Sequence, residues 1–196
     1  MRYAMATAVW ALGSFMLSAT VSGADATSAG TNVLHIDACA LLLPSEISQV
    51  IGLPVDAGSR EDDGLVSNGS YSSVCLWKVK SEKPTTPNPG MPLSGQSFVI
   101  LNAMQWPAGS GLAHTFLERF RTAAEAGEIP AKPSPRNFGD EALWWGDGLA
   151  VRKYDVSFGL SVFIPERKAK SPGAFEEQLA PQVLRRLEQR EQQMRR

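Results

Sequence analysis

The sequence predicts an α+β fold, a single domain in which an antiparallel sheet of about five strands is packed with helices and held by one disulfide. Helical and alternating apolar patterns follow one another in the order α-β-β, a connecting segment, and then α-β-β-β-α. Consecutive strands bounded by helices are typical of antiparallel sheets. The chain has 196 residues, 43% of them hydrophobic and 20% charged, which is enough for one domain with a buried core.

Charge and composition exclude two functional classes. The chain has 19 Lys and Arg against 20 Asp and Glu, a net charge of -1, so it lacks the excess of cations that general nucleic-acid binding requires. Two cysteines and two histidines are too few for a zinc framework of the finger type. We therefore expect no nucleic-acid partner, no metal and no cofactor.

Residues 1–26 have the pattern of a signal peptide. Arg2 precedes an apolar run from Ala8 to Val21, and Ala24 and Ala26 are the small residues of a cleavage site, although a second small pair allows an earlier cut. A buried helix or an uncleaved anchor is the alternative, but the run is shorter than the roughly 20 apolar residues of a membrane span. We expect a soluble periplasmic or secreted protein with no membrane insertion after cleavage.

Export changes the meaning of the two cysteines, Cys39 and Cys75. In an oxidising compartment, a single pair predicts one disulfide. A reactive pair is the alternative. It is less favoured because the C-x-x-C spacing is absent and neither cysteine has a neighbouring His, Lys or Arg to stabilise a thiolate.

The domain is predicted to span 35–187, after a flexible lead-in over 27–34. Asp37 is placed to cap a short turn over Ala38–Leu43. A helix is predicted over Pro44–Gly52, because proline suits the first helical position and glycine commonly ends a helix.

The next stretch, 56–69, contains three adjacent acids, Glu61 to Asp63, among Gly, Ser and Asn. A calcium loop needs alternating ligands, so a solvated turn is the better interpretation. From Tyr71 to Lys80 the apolar period changes to two, which predicts a strand with Cys75 pointing inward. A disulfide to Cys39 would then join the first helical segment to the sheet.

Prolines separate the following elements. The segment Lys83–Gly95 has four prolines and is expected to be an exposed connection. Gln96–Gln105 is predicted to be a central strand covered on both faces, because its middle is apolar almost throughout. An amphipathic helix is predicted from residue 110 or 111 to about 127, before a second proline-rich connector, Ile129–Arg136.

The C-terminal part is predicted to contain three strands, joined by turns short enough for hairpins, and a final helix. The strands are Asp140–Trp145, Gly148–Tyr154 and Val156–Ile164. A charged loop over Pro165–Ser171 leads into the helix, which begins at Ser171-Pro172, is kinked at Pro181 and buries apolar residues up to Leu187. The charged helix end, 188–196, is expected to fray.

Four short stretches carry a resemblance to a known family. They are Asp37–Gly52 (DACALLLPSEISQVIG), Val74–Trp77 (VCLW), Gly139–Ala142 (GDEA) and Leu149–Lys153 (LAVRK). Together they resemble exported bacterial proteins grouped as domain of unknown function 3558, many of them lipoproteins, and they are similar to extracellular sensor domains of certain bacterial Ser/Thr kinases. The resemblance implies a disulfide between the two cysteines, an antiparallel sheet packed with helices, and no established catalytic residues. This chain departs from the family in lacking the lipidated cysteine and in having Leu43 where a capping Thr or Ser is usual.

Two pairs of residues are candidates for hydrolytic chemistry. Ser110 and His114 are close in sequence, but the G-x-S-x-G pattern is absent and no third group is identifiable. Asp140 and Glu141 are adjacent carboxylates, which on a strand point to opposite faces rather than across a cleft, as a glycosidase requires. A structural role is favoured for both pairs.

The best candidates for a ligand platform are Trp144 and Trp145, together with Trp77 and Trp106. On a strand the adjacent pair must face opposite sides, so ordinary sheet packing is the competing interpretation.

Two other groups of polar residues are expected to have no binding function. His35 and Asp37 are too few to hold a metal ion. An arginine-rich helix end could touch anionic surfaces, but interspersed glutamates favour a solvated face. Its arginines are Arg185, Arg186, Arg190, Arg195 and Arg196.

These observations predict an exported, soluble, non-enzymatic module that binds a partner protein or a small ligand in the cell envelope. An envelope hydrolase using Ser110/His114 or Asp140/Glu141 is one alternative, and a structural component of an envelope assembly is another.

Overall fold

The structure is a computed structural model that describes residues 35–80, 96–129, 132–165 and 171–196. These residues belong to one compact unit between His35 and Arg196. The predicted signal peptide, the lead-in and the proline-rich segment Lys83–Gly95 lie outside the described residues, as does most of the predicted loop before the last helix.

An α+β fold with an antiparallel sheet and one disulfide is confirmed. The helices are α1 (Ala38–Leu41), α2 (Pro44–Ile51), α3 (Thr115–Glu125) and α4 (Ala174–Met194). The strands are β1 (Ser59–Leu65), β2 (Tyr71–Lys78), β3 (Phe98–Gln105), β4 (Ser134–Arg136), β5 (Glu141–Trp144), β6 (Leu149–Lys153) and β7 (Val156–Phe163). A 3₁₀ turn, Leu112–His114, precedes α3.

The sheet has seven strands in the order β1-β2-β3-β7-β6-β5-β4, so the predicted number of about five is wrong. The two additional strands are its edges. β1 lies within the stretch predicted to be a solvated turn, and β4 lies within the predicted connector. An edge strand forms backbone hydrogen bonds with one neighbouring strand only, and its other edge faces solvent. Its sequence therefore need not alternate apolar and polar residues, and it can contain proline.

The edge strand β1 is almost entirely exposed and strongly charged. Its pairing with β2 is interrupted by a bulge between Glu61 and Gly64. Arg60 bonds to Asp62 at 2.7 Å, and this hydrogen bond is the main reason that the pKa of Asp62 is lowered to about 2. Charge and a bulge both discourage an edge from pairing with a second chain.

One face of the sheet, here called the inner face, is buried under α1, α2 and α4. A row of cross-strand neighbours on this face runs through Cys75, Leu101, Leu160 and Leu149, all fully buried. The predicted disulfide is present: Cys39 of α1 is bonded to Cys75 of β2, with their Cα atoms 5.1 Å apart. The covalent link therefore joins the first helix to the centre of the core.

Among the described residues, the opposite face, here called the outer face, is covered in part, by α3. Leu117 of this helix packs on Leu143 and Ala150 of β5 and β6. The central position of β3 is confirmed, but its outer side chains, such as Ile100 and Met104, are only half-buried. Within the described residues, the prediction that this strand is covered on both faces therefore holds only in part, because α3 packs over β5 and β6.

The cap predicted at Asp37 is formed. The Asp37 carboxylate accepts the N–H of Cys39 at 2.9 Å. At the start of α2, Leu43 has no capping side chain, and Glu46 instead accepts the Leu43 N–H at 3.0 Å. Burial by itself would raise the pKa of Glu46, but the hydrogen bonds and charge of Arg186, with the Leu43 N–H and Arg185, keep it below its ordinary value. The same carboxylate thus caps α2 and connects it to α4.

The prediction that the C-terminal end frays is wrong, because α4 continues to Met194. Its polar end bonds to the rest of the fold instead of facing only solvent. Glu188 lies 3.6 Å from Lys153 Nζ, and Arg190 Nη2 donates to Gln105 Oε1 at 2.9 Å. These contacts place the last turns of α4 beside the ends of β3 and β6.

Candidate functional site

The two tryptophans predicted as a ligand platform are half-buried, and each packs against a helix. Trp144 packs with the inner-face core and lies against Gly173 before α4, where an added Cβ would be 2.9 Å from the indole. Trp145 packs with the outer-face cluster and stacks on Phe120 of α3, with ring centroids 4.6 Å apart. Its ring edge also lies over Gly148, where a Cβ would not fit. A ligand contact at this pair stays a prediction, while the geometry gives both indoles a packing role.

Ser110 and His114 are not brought together as a catalytic pair. Ser110 Oγ accepts the N–H of Leu112 at 3.2 Å, at the start of the 3₁₀ turn. The exposed His114 has Nδ1 3.9 Å from Glu118 Oε1, one turn further along the helix. Within the described ranges no hydrogen bond joins Ser110 to His114. Each side chain has a local role near the start of α3.

Asp140 and Glu141 belong to a chain of ion pairs. Glu141 lies 2.7 Å from Arg121 and 3.6 Å from Arg152. Asp140 lies 3.4 Å from Arg152 and accepts the N–H of Tyr154 at 2.8 Å. The hydrogen bond to Glu141 is the main reason that the pKa of Arg121 is raised. Both carboxylates are thus charge-paired, and Asp140 also holds the β6–β7 turn.

His35 and Asp37 are likewise engaged in other contacts. His35 stacks on Tyr71 with ring centroids 4.1 Å apart, and Asp37 pairs with Arg60 at 2.8 Å. Across the part of the chain that the structure describes, no group of three or more His, Cys, Asp or Glu side chains is arranged to hold a metal ion.

A cleft of about 270 Å³, here called the α4 cleft, lies between the last turns of α4 and the β6–β7 turn. Its walls come from the end of β3, the β6–β7 turn, the start of β7 and the helix α4. They include Gln105, Trp106, Tyr154, Asp155, Arg190, Glu191, Met194 and Arg195.

The base of the α4 cleft is firmly held. Trp106 is 3% exposed, and its indole Nε1 donates to the buried Ser157 Oγ at 2.8 Å. The backbone N–H of Trp106 donates to the carbonyl of Asp155 at 2.8 Å. The carboxylate of Asp155 accepts the N–H of Gly109 at 3.1 Å. These hydrogen bonds connect the β6–β7 turn to residues 106–109, the segment that follows β3.

Tyr154 has an unusual backbone conformation. Its φ of 56° lies in the left-handed region, and it is the one non-glycine residue of the described ranges with a positive φ. This position of a two-residue hairpin turn normally carries Gly or Asn, and another residue there costs about 1–2 kcal/mol. The ring is nevertheless 39% exposed at the cleft, with Lys153 Nζ 4.8 Å from its centroid. Strained residues of this kind cluster at functional sites.

The polar groups of the α4 cleft include both hydrogen-bond donors and acceptors, among them the carboxylates of Asp155 and Glu191 and the guanidinium groups of Arg190 and Arg195. Gln105 Oε1 already accepts the N–H of Ile36 at 3.1 Å and Arg190 Nη2 at 2.9 Å. Burial lowers the pKa of Arg190. At the rim, Arg195 Nε donates to Glu191 Oε1 at 2.7 Å.

Sequence reasoning missed most of this site. It placed Tyr154 at the end of a predicted strand, before a hairpin turn, and Arg190 on a solvated helix face. One signal was present in the sequence: a tyrosine stands where a hairpin favours Gly or Asn.

Comparisons with protein-family models, curated proteins and solved structures gave no match. Membership of the domain of unknown function 3558 family therefore stays a prediction. None of the helices in the described ranges has the length and apolar character needed to cross a bilayer.

Proposed function

We propose that this protein is an exported, non-enzymatic binding module of the cell envelope, and that it holds a small ligand in the α4 cleft. The observation that carries the proposal is the strained Tyr154, whose φ of 56° places an exposed aromatic ring at the mouth of a concave site. A conformation that costs about 1–2 kcal/mol is retained where the ring has a use that Gly or Asn cannot supply.

The composition of the walls fits this role. Small-molecule sites are concave, with aromatic and apolar walls and a few placed polar groups. Here Tyr154 and Met194 supply exposed apolar surface beside the nearly buried Trp106, and Gln105, Asp155, Arg190 and Glu191 supply polar groups. A volume of about 270 Å³ limits the ligand to a small molecule, about the size of two fused rings.

The exported location is supported by the disulfide. Cys39 and Cys75 are bonded, and such bridges form and persist mainly in oxidising compartments. This agrees with the signal pattern over residues 1–26, and together they favour the periplasm or the exterior of the cell.

Binding is favoured over hydrolysis because the candidate catalytic groups already have structural partners. Ser110 Oγ accepts a backbone N–H, and Asp140 and Glu141 are paired with arginines. No specific contact among the described residues favours the third possibility, a structural component of an envelope assembly.

The test is a titration of ¹⁵N-labelled protein, purified from the periplasm of an expression host, with the two-ring carboxylate 1-naphthoate. We expect amide shifts to concentrate at Gln105, Trp106, Tyr154 and Asp155. Tyr154→Asn should weaken binding at least about fivefold, because asparagine tolerates the left-handed turn but removes the aromatic wall.

The matched control is Phe163→Asn, which removes a ring of similar exposure, 42% against 39%, at the opposite end of β7. It should leave the affinity unchanged. Scattered shifts, or equal losses in the two variants, would refute the proposed site. Hydrolytic activity that His114→Ala abolishes would favour the hydrolase instead.

A further inference from the structure

We infer that the part of the outer face beside α3 is the contact surface of a homodimer, so that its occupant is a second copy of this chain. This surface, here called the β2–β3 face, consists of Val74, Leu76, Phe98, Ile100, Asn102, Met104 and Phe163. None of these residues lines the α4 cleft, so dimerisation is independent of the proposed function.

Strand pairing shows which side chains lie on this face. A row of cross-strand neighbours runs through Leu143, Ala150, Gly159, Asn102, Val74 and Glu61. Leu117 of α3 packs on the first two, and Phe116 of α3 is the nearest side chain above Gly159. The row then continues past the helix to Asn102, Val74 and Glu61. The β2–β3 face is therefore the part of the outer face that lies beyond α3.

The β2–β3 face is apolar except at its middle. Its aliphatic side chains are half-buried, and at one end Phe163 is 42% exposed. The ring of Phe98 lies beside that of Phe163, with centroids 5.4 Å apart. Apolar side chains gain free energy when a partner removes them from water.

The size of this face suits a weak dimer. Three strands of eight residues present an area of about 14 Å by 26 Å, or roughly 400 Å² on one copy. Two such faces, together with the flanks of the two α3 helices, amount to about 1,000 Å², the lower limit for a specific interface.

Asn102, at the middle of the face, points to a second copy as the partner. Its Oδ1 is buried and has no hydrogen-bond partner within the described residues. In a two-fold contact, a residue beside the axis meets its own copy, and an amide offers both donors and an acceptor. The Asn102 side chain as a whole is half-buried, so rotation about its Cβ–Cγ bond turns the oxygen towards the open side of the face. Two copies of Asn102 can thus satisfy each other, which a purely apolar partner cannot do.

The position of α3 fixes the direction of the two-fold axis. The helix stands about 10 Å above the sheet, which is also the spacing of two packed sheets, so a second sheet must lie beside α3 at its level. An axis parallel to the strands, between β2 and β3, sets the β1 edge of each copy against α3 of the other. Glu61 of one copy then approaches Arg119 of the other, an exposed cation one turn after Phe116. An axis across the strands would instead drive each α3 into the sheet of the other copy.

The first experiment measures the oligomeric state of the unaltered protein by sedimentation equilibrium. We expect a reversible equilibrium between monomer and dimer with a Kd of about 10–100 μM, as suits an interface of this size. A mixture of ¹⁵N-labelled and ¹³C-labelled protein then locates the contact. Isotope-filtered spectra should show cross peaks between the Asn102 side-chain amide of one copy and the Val74 methyl groups of the other.

Substitutions test the axis and the direction. Asn102→Asp brings two like charges together at the axis and should raise Kd at least about tenfold. The control Asn137→Asp makes the same charge change at an exposed position between β4 and β5, and it should alter Kd by less than about twofold. Arg119→Glu should also weaken the dimer, and Arg119→Glu combined with Glu61→Arg should restore it, because the pair is then reversed on both sides.

The outcomes decide between a second copy and other occupants. A protein that stays monomeric up to millimolar concentration would overturn the proposal, whether a different protein or another part of this chain then covers the face. A dimer that responds equally to Asn102→Asp and Asn137→Asp would place the contact elsewhere and overturn it as well. Should Asn102→Asp fail to fold, the intermolecular cross peaks of the unaltered chain still decide the question.

Discussion

Two glycines near the Trp145 indole differ in the space above them. At Gly148 an added Cβ would overlap the indole and the Ser161 hydroxyl, whereas at Gly159 the nearest atoms are Phe116 Cζ at 3.5 Å and Trp145 Cη2 at 3.8 Å, an ordinary contact. Neither glycine has a left-handed φ, so the comparison is one of space alone.

We predict that Gly148→Ala lowers the free energy of unfolding by about 1–3 kcal/mol, because the indole must move and its contact with α3 is strained. Gly159→Ala should be neutral or add up to about 0.5–1 kcal/mol, because alanine is favoured over glycine within a strand. Urea denaturation followed by tryptophan fluorescence measures both. Equal effects of the two substitutions would contradict the packing role of Trp145.

At the scale of the element, the start of α4 contains a buried acid. Glu176 is 4% exposed, and its Oε1 accepts the N–H of Val162 from β7 at 2.8 Å. Burial raises the pKa of Glu176, although the Val162 N–H and its own N–H oppose the change. The folded state therefore binds this proton more tightly than the unfolded state does. The corresponding stability is fully present below the unfolded pKa and is lost as pH rises through the folded one.

We predict that Glu176→Gln raises the free energy of unfolding at pH 7 and flattens its dependence on pH between about 4 and 7, because glutamine keeps the acceptor oxygen without the buried charge. The control is Glu177→Gln, at the neighbouring position, which removes a surface pair with Arg136 at 2.6 Å and should give no gain. Thermal denaturation across this pH range measures both. A Glu176→Gln protein that is less stable at pH 7 would contradict the prediction.

The elements also show which parts of the fold a sequence can predict. The alternation of apolar residues in β2 placed Cys75 and Trp77 on one face, and both are buried. Successive side chains of a strand point to opposite faces, so every second residue of this strand must be apolar to contact the core. The edge strands β1 and β4 gave no such signal, since one consists largely of exposed charge and the other contains Pro135. The polar end of α4 was missed for a related reason, since its helix is held by ion pairs rather than by an apolar stripe.

The candidate site was harder to predict than the fold. The α4 cleft brings together Gln105, Tyr154 and Arg190, which lie on three elements and are far apart in sequence. No local pattern links them, and only the pairing of β3 with β7 places Gln105 next to the turn. Sequence patterns indicate which residues are buried, whereas a cleft depends on where three elements end.

At the scale of the whole molecule, one sheet separates two helical layers, and each layer is anchored by one tryptophan of an adjacent pair. Trp144 packs with the layer of α1, α2 and α4, and Trp145 packs with α3. The inner layer has in addition the covalent link from Cys39 to Cys75, which ties α1 to the centre of the sheet. The α4 cleft lies where that inner layer meets the sheet end, so its shape depends on how firmly the layer is held.

The disulfide and the export that it implies can both be tested on purified protein. Protein isolated from the periplasm should lack about the first 26 residues and contain no free thiol, which intact-mass measurement with and without alkylation establishes.

Cys39→Ala/Cys75→Ala should lower the free energy of unfolding by about 3–4 kcal/mol, because the bridge closes a loop with a sequence separation of 36. Reduction of the unaltered protein should give the same loss, which serves as the control. An intact N-terminus, or cysteines that alkylate without reduction, would contradict export into an oxidising compartment. Unchanged stability in the double variant would show instead that the apolar row across the sheet holds α1 without the disulfide.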